Sequence, residues 1–179
     1  EGLEVEIVQP PEDGADALVA SGKAQFGVSF QDTMAPGVAG ADALPTTAVA
    51  ALVQHNTSGI ISRKGEGMDR PKGLEGKKYA TWNGTIETAM MKEVVEADGG
   101  DFSKVELSAL KSKSVDAIWI FYAWGGIATE EAKLATDYFA FRDIDPVFDY
   151  YTPVVIANNE FLKEEPETAK KFLRALGKG

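Results

Sequence analysis

No cysteine occurs among the 179 residues, so this chain builds no disulfide, thiolate nucleophile, zinc–thiolate site or iron–sulfur cluster. Histidine occurs once, at His55, and any Ser-His-Asp triad or histidine metal cluster has to include it. Positive charge is scarce. Lys and Arg total 18 against 28 Asp and Glu, a net charge of −10, and the acidic residues are scattered rather than gathered in a tail. Such a surface repels phosphate backbones and offers no basic stripe to release counterions, so no nucleic-acid partner is expected. No run approaches the ~20 apolar residues of a membrane span. The start, Glu1-Gly2-Leu3-Glu4, has neither the basic residues nor the apolar run of an export signal, so any such signal is expected to have been removed.

What is present is an ordinary globular composition, 44% hydrophobic and 26% charged, long enough for one sizeable core or two small lobes. Alternation in Leu3-Glu4-Val5-Glu6-Ile7-Val8 predicts a strand, and Ala15 to Ala20 a short helix ending at Gly22. Phe26 to Phe30 reads as the next strand, Gln31 to about Gly40 as a weak helix, and Thr46 to Val53 as a buried parallel strand. Strands joined through helices imply parallel pairing, with ligands beyond the carboxyl ends of the strands, where Ser29 and Gln31 lie. Gly65 to Gly73 is the clearest surface loop. Beyond it come a strand to Trp82, a helix from Thr85 to Ala97, strands at Lys104 to Leu107 and Val115 to Tyr122, a helix near Ile127 to Ala135 and a strand Tyr138 to Phe141. A strand Tyr150 to Ala157 and a helix Pro166 to Leu176 close the chain, with Gly177-Lys178-Gly179 expected to fray.

The most informative stretch is Gly76 to Glu87, where a strand runs through Trp82 into a glycine turn and an amphipathic helix. Helical spacing places Ile86, Ala89, Met90, Val94 and Ala97 on one face and Glu87, Lys92, Glu93 and Glu96 on the other. The free N–H groups of that helix start face the strand end. A ring stacked on Trp82 would then meet Asn83, Thr85 and the turn backbone; the bland reading of the same residues is an ordinary strand-to-helix turn.

Gln54 to Gly59, the Gly76 to Glu87 segment, Asp98 to Val105, Trp119 to Trp124 and Asp149 to Pro153, in this order and spacing, resemble ABC-transporter substrate-binding proteins of the thiamine-pyrimidine type, within the NMT1-like superfamily. The resemblance implies an α/β, two-lobed type II periplasmic-binding-protein fold, with mostly parallel sheets flanked by helices and incomplete at both termini. Residues 1–56 would form a first lobe without its first strand and helix, 57–150 a second lobe, and 151–179 a return segment. Between Leu107 and Val115 only a seven-residue loop, Ser108 to Ser114, stands where the family usually has a loop and a helix. The resemblance also implies a non-enzymatic protein that closes on hydroxymethylpyrimidine or formylaminopyrimidine and hands it to an ABC permease, with no cofactor, in the periplasm or outside the cell. Membrane association, through a lipid anchor for instance, and pairing or strand exchange between two copies through the missing N-terminal strand belong to the same expectation. Gly125 stands where family members often carry an acidic residue.

The expected ligand contacts are Trp82, Tyr122 and Trp124 as stacking faces, Ser29 and Gln31 as hydrogen-bonding groups, and Asn83, Thr85 and Glu87 around the helix start. Each has a structural alternative: aromatics at strand ends are often core, Ser29 and Gln31 can cap loops, and Glu87 can cap its own helix. One of Tyr150 and Tyr151 is expected to reach the cleft; alternation does not choose between them, and Tyr151 is carried forward. Trp119, alternating with Phe121, reads as core, and His55 as a hydrogen-bonded residue near the lobe crossover. Two alternatives remain: an enzyme like the eukaryotic pyrimidine synthase of the superfamily, which the resemblance says needs a cysteine-rich motif, and an α/β unit without cargo.

Overall fold

Short runs of β-branched and small apolar residues become strands here, and the longer amphipathic stretches become helices. A computed structural model describes residues 1–11, 14–41, 43–109 and 114–179. The expected Ser108 to Ser114 loop falls largely on 110–113, outside the described residues. In chain order the elements are α1 (Ala15–Ala20), β1 (Phe26–Ser29), α2 (Gln31–Val38), β2 (Thr46–Ala51) and β3 (Ser58–Arg63). Then come β4 (Lys78–Thr81), α3 (Thr85–Ala97), β5 (Glu106–Ala109), β6 (Ala117–Phe121) and α4 (Ile127–Glu131). Last are β7 (Thr136–Ala140), α5 (Phe141–Ile144), β8 (Val154–Asn158), α6 (Asn159–Glu164) and α7 (Pro166–Leu176). They divide into two compact units, 1–54 with 151–179, and 55–150.

In the first unit the late strand β8 lies between β1 and β2 and is antiparallel to both, pairing Ser29 with Val154 on one side and Ala51 with Val154 on the other. Every residue of β8 is buried, as suits a central strand of branched side chains, while β2 at the edge is largely exposed. The Thr46 to Val53 run is therefore neither buried nor parallel to its neighbour: its apolarity is mostly alanine, which a sheet edge tolerates. Val19, Met34, Val154 and Ile156 form the core, and Phe172 of α7 stacks on Phe26 of β1 at 4.0 Å. Two terminal expectations change. Leu3 to Val8 forms no strand, because no described strand pairs with it, and Ile7 is 93% exposed. The last residues do not fray: Lys178 Nζ donates to Glu1 Oε1 at 2.6 Å, and Gly177 N to Leu173 O.

The second unit has the strand order β5-β4-β6-β3-β7. Only β5, β4 and β6 run parallel; β3 is antiparallel to both β6 and β7. The expectation of mostly parallel sheets thus holds for one part of one sheet, since counting crossover helices does not reveal where a strand inserts. Met90, Met91, Val94 and Val95 of α3 pack against Ile60, Tyr79 and Phe139, each fully buried side chain contributing roughly 1.5–3 kcal/mol. This face is rotated from the expected one: Ile86, Ala89 and Ala97 are exposed, and Glu87 is buried. The Gly65 to Gly73 loop is also less superficial than expected, with Met68 and Pro71 buried in it.

Candidate functional site

β4 delivers Tyr79 and Thr81 to the inner face of the second unit's sheet, and the chain then turns through Trp82, Asn83 and Gly84 into α3. Asn83 takes the left-handed conformation, φ 62°, which its short polar side chain tolerates better than most. Gly84 is needed for a different reason: a Cβ there would lie 3.0 Å from Trp82 Nε1, so its absence lets the indole edge fold over the turn. Trp82 is 51% exposed, with its ring centroid 5.5 Å from that of Trp119. Trp119 in turn meets Phe141 edge-on at 4.5 Å. The result is an indole tilted against Trp119 at 59° and half-exposed.

Glu87 holds this turn from below. It is 3% exposed. Its Oε1 accepts from Tyr79 Oη, and its Oε2 accepts from Thr81 Oγ1 at 2.8 Å, Trp82 N at 3.2 Å and Gly84 N at 3.3 Å. Thr81 Oγ1 also accepts from Asn83 N at 2.9 Å. The amides of residues 82, 83 and 84, the turn backbone expected to meet a ligand beside the helix start, are thus all taken by side chains of the same segment. Burial, reinforced by Glu87, pushes the Tyr79 hydroxyl far above the ordinary tyrosine range.

The other expected contacts fall in separate places. Asn83 and Thr85 are exposed on the same turn, beside Trp82. Glu87 is not presented to a ligand: four donors occupy its carboxylate, and it is not on the solvent face of α3 because 87, 91 and 94 share one stripe. Tyr122 and Trp124 lie on a wide turn, Tyr122–Gly126, after β6. The Tyr122 hydroxyl donates to Glu130, its ring sits 4.7 Å from that of Tyr138, and Trp124 is 81% exposed. A Cβ on Gly126 would stand 2.4 Å from the Tyr122 ring, so that turn depends on glycine. In the first unit, Ser29 is buried and its hydroxyl donates to Asp16 Oδ2 at 2.7 Å. Gln31 opens α2 and its Oε1 accepts from Tyr151 N at 3.0 Å, which brings those two exposed residues together. The Tyr150 hydroxyl meets the Met90 sulfur at 3.3 Å inside the second unit.

Sequence reasoning passed over two features. Trp119, read as core, is buried, yet its indole N–H has no hydrogen-bond partner among the described residues. Asp149 accepts from His55 Nδ1 at 2.8 Å and Asn56 N at 2.9 Å, which holds its carboxyl below the usual range, the His55 bond contributing most. Asn56 Nδ2 donates to Phe148 O, and Asn56 Oδ1 accepts from Ser58 N and Oγ. Beside this network a shallow depression of about 440 Å³ is walled by His55, Arg142, Asp143, Pro146 and Asp149, none of them among the expected contacts. Among the described residues no helix is long and apolar enough to cross a membrane.

Comparison with known proteins adds the following. The family described as NMT1/THI5 like matches residues 1–179. The formylaminopyrimidine-binding protein of Halalkalibacterium halodurans is 29% identical over 194 residues, covering 100% of this chain and 56% of that protein. The 4-amino-5-hydroxymethyl-2-methylpyrimidine phosphate synthase THI11 of Saccharomyces cerevisiae is 28% identical over 200 residues, 99% of this chain and 57% of that one. The chain thus spans little more than half the length of these relatives. Among solved structures, the periplasmic aliphatic sulphonate binding protein SsuA from Escherichia coli superimposes with a TM-score of 0.67 at 12% identity, over 93% of this chain and 59% of that one. The fold is that of ABC-type solute-binding proteins.

Proposed function

The chain belongs to the NMT1/THI5-like family, and from that membership and the Trp82 turn we propose that it captures a thiamine pyrimidine precursor, formylaminopyrimidine or hydroxymethylpyrimidine, without transforming it. The carrying observation is Trp82: a half-exposed indole, backed by Trp119 and fixed over its turn, is a ready stacking face for a flat nitrogen heterocycle. Asn83 and Thr85 beside it supply polar contacts, and the exposed Trp124 a further aromatic face. Support for binding rather than synthesis comes from the bacterial relative's name and from the solute-binding fold; the yeast relatives are named as synthases, and catalysis is the second reading. An ABC permease is the partner this reading implies, with the protein working in the periplasm or at the cell exterior.

The test is calorimetric titration with both pyrimidines. Binding without turnover is expected, and Trp82→Ala should weaken it about 10- to 100-fold, the range of one lost stacking face. Unchanged affinity in that variant removes Trp82 from the site, and pyrimidine product formed by the purified protein would replace binding with synthesis.

A further inference from the structure

An arriving ligand at the β4-to-α3 turn would find no vacant amide at residues 82, 83 or 84, because Glu87 and Thr81 already accept from all three. We propose that Glu87 is an internal anion: it gathers the amides and hydroxyls that precede α3, fixes the Trp82 turn, and favours uncharged or cationic rings over anions at that turn.

The hydrogen-bond partners suit a negative charge. All four partners of the Glu87 carboxylate donate to it, the Tyr79 and Thr81 hydroxyls and the Trp82 and Gly84 amides. The two amides can only donate, and with both hydroxyls turned toward it the set completes the acceptor shell of a carboxylate. Among the described residues Glu87 forms no ion pair; neutral dipoles and the start of a 13-residue helix hold its charge. A buried anion so held acts on whatever lies over Trp82. A sulfonate or carboxylate would face like charge, with the amides of residues 82 to 84 already taken. A ring with an exocyclic amine or a protonated nitrogen would be favoured, by the same field and by the indole π-face. A sulphonate-binding protein of this fold is named for an anionic ligand, so the fold does not by itself exclude anions.

The ligand class rests on the pyrimidine reading, whereas occupancy of the nest does not, and the experiment separates them. Sodium formate and methanesulfonate are added to the wild type, Glu87→Ala and Glu87→Gln, at ionic strength matched with sodium chloride. The wild type should melt at the same temperature in formate as in chloride. Glu87→Ala should melt lower and recover by about 2–6 °C in formate at tens of millimolar, as a free carboxylate enters the vacated nest. It should also bind methanesulfonate, which the wild type should not. Glu87→Gln, nearly the same in shape but with an N–H2 group set against donors, should bind formylaminopyrimidine about tenfold more weakly and melt lower than the wild type. Absence of formate recovery in Glu87→Ala overturns the proposal; if that protein does not fold, wild-type melting and ligand selectivity in Glu87→Gln overturn it alone. Formate recovery in a protein that binds no pyrimidine would leave the internal anion standing and remove the proposed cargo.

Discussion

Two strand ends in the second unit repeat one arrangement with opposite surroundings. At each, a tyrosine hydroxyl donates to a glutamate eight residues on, Tyr79 to Glu87 and Tyr122 to Glu130, and a tryptophan stands two or three positions after the tyrosine. Tyr79 and Glu87 are 1% and 3% exposed, and the carboxylate collects three further donors. Glu130 is exposed, and so is Trp124. A tyrosine–glutamate bond in water competes with hydration and adds little; the same bond out of water cannot be surrendered without stranding a charge. The first turn therefore holds its backbone to one shape and presents Trp82 as a built surface, while the second relies on the room left by Gly126.

Removing one hydroxyl from each turn tests this contrast with the largest effect. Thr81 is 3% exposed and serves twice, donating to Glu87 and accepting from Asn83 N. Thr81→Val should cost about 2–3 kcal/mol, since both partners lose a bond while buried or half-buried. Thr129 donates to Gly126 O at 2.7 Å near the other turn and is only half-buried. Thr129→Val should cost under about 1 kcal/mol. Urea midpoints at unchanged slope measure both. Equal losses would mean that the two turns are held alike, which breaks the comparison.

Periodicity made much of this unit legible. The helix from Thr85 to Ala97 and the helix from Pro166 to Leu176 have the limits that spacing and glycine or proline punctuation predict. Spacing does not show the rotation of α3 about its axis, because Glu87 reads as polar and outward-facing; only its stripe with Met91 and Val94 carries the signal. Strand order was hidden for another reason. The insertion of β8 between β1 and β2 is a long-range pairing that neither flanking sequence encodes. Leu3 to Val8 alternates as a strand should, yet alternation specifies a face and not a neighbour. Of the candidate site, the aromatics and the turn were visible, and the polar support beneath them was not, since Tyr79 and Thr81 look like ordinary strand residues.

Alkaline titration sharpens the contrast at intermediate magnitude. Tyr79 is pushed far above its ordinary value by burial and then by Glu87, and Tyr138 is pushed up to about 12 mainly by burial. Both values are raised on folding, so the stability they confer is complete below the unfolded tyrosine value of about 10 and is lost as pH rises toward the folded values. Above that point the unfolded chain gives up protons that the folded chain keeps. Melting should fall above about pH 10, and Tyr79→Phe should make the descent shallower by about 1.4 kcal/mol per pH unit. An unchanged slope would show the Tyr79 hydroxyl titrating while the protein is folded, which a closed Glu87 nest does not permit.

The smallest effect is expected where the same chemical pair is solvated. Tyr122 is pushed up by the bond its hydroxyl makes to Glu130, but that bond lies in water, and the Tyr122 ring keeps its contact with Tyr138 when the hydroxyl is removed. Tyr122→Phe should therefore leave the neutral-pH melting temperature within about 1 °C of wild type. Glu130→Gln should do the same, whereas Glu87→Gln should not, although both replace the acceptor of a tyrosine eight residues earlier. A large loss in Tyr122→Phe would mean that this second turn is held by its tyrosine–glutamate bond after all. Trp124 would then be as firmly placed as Trp82, and the proposed ligand would have two fixed indoles to choose between rather than one.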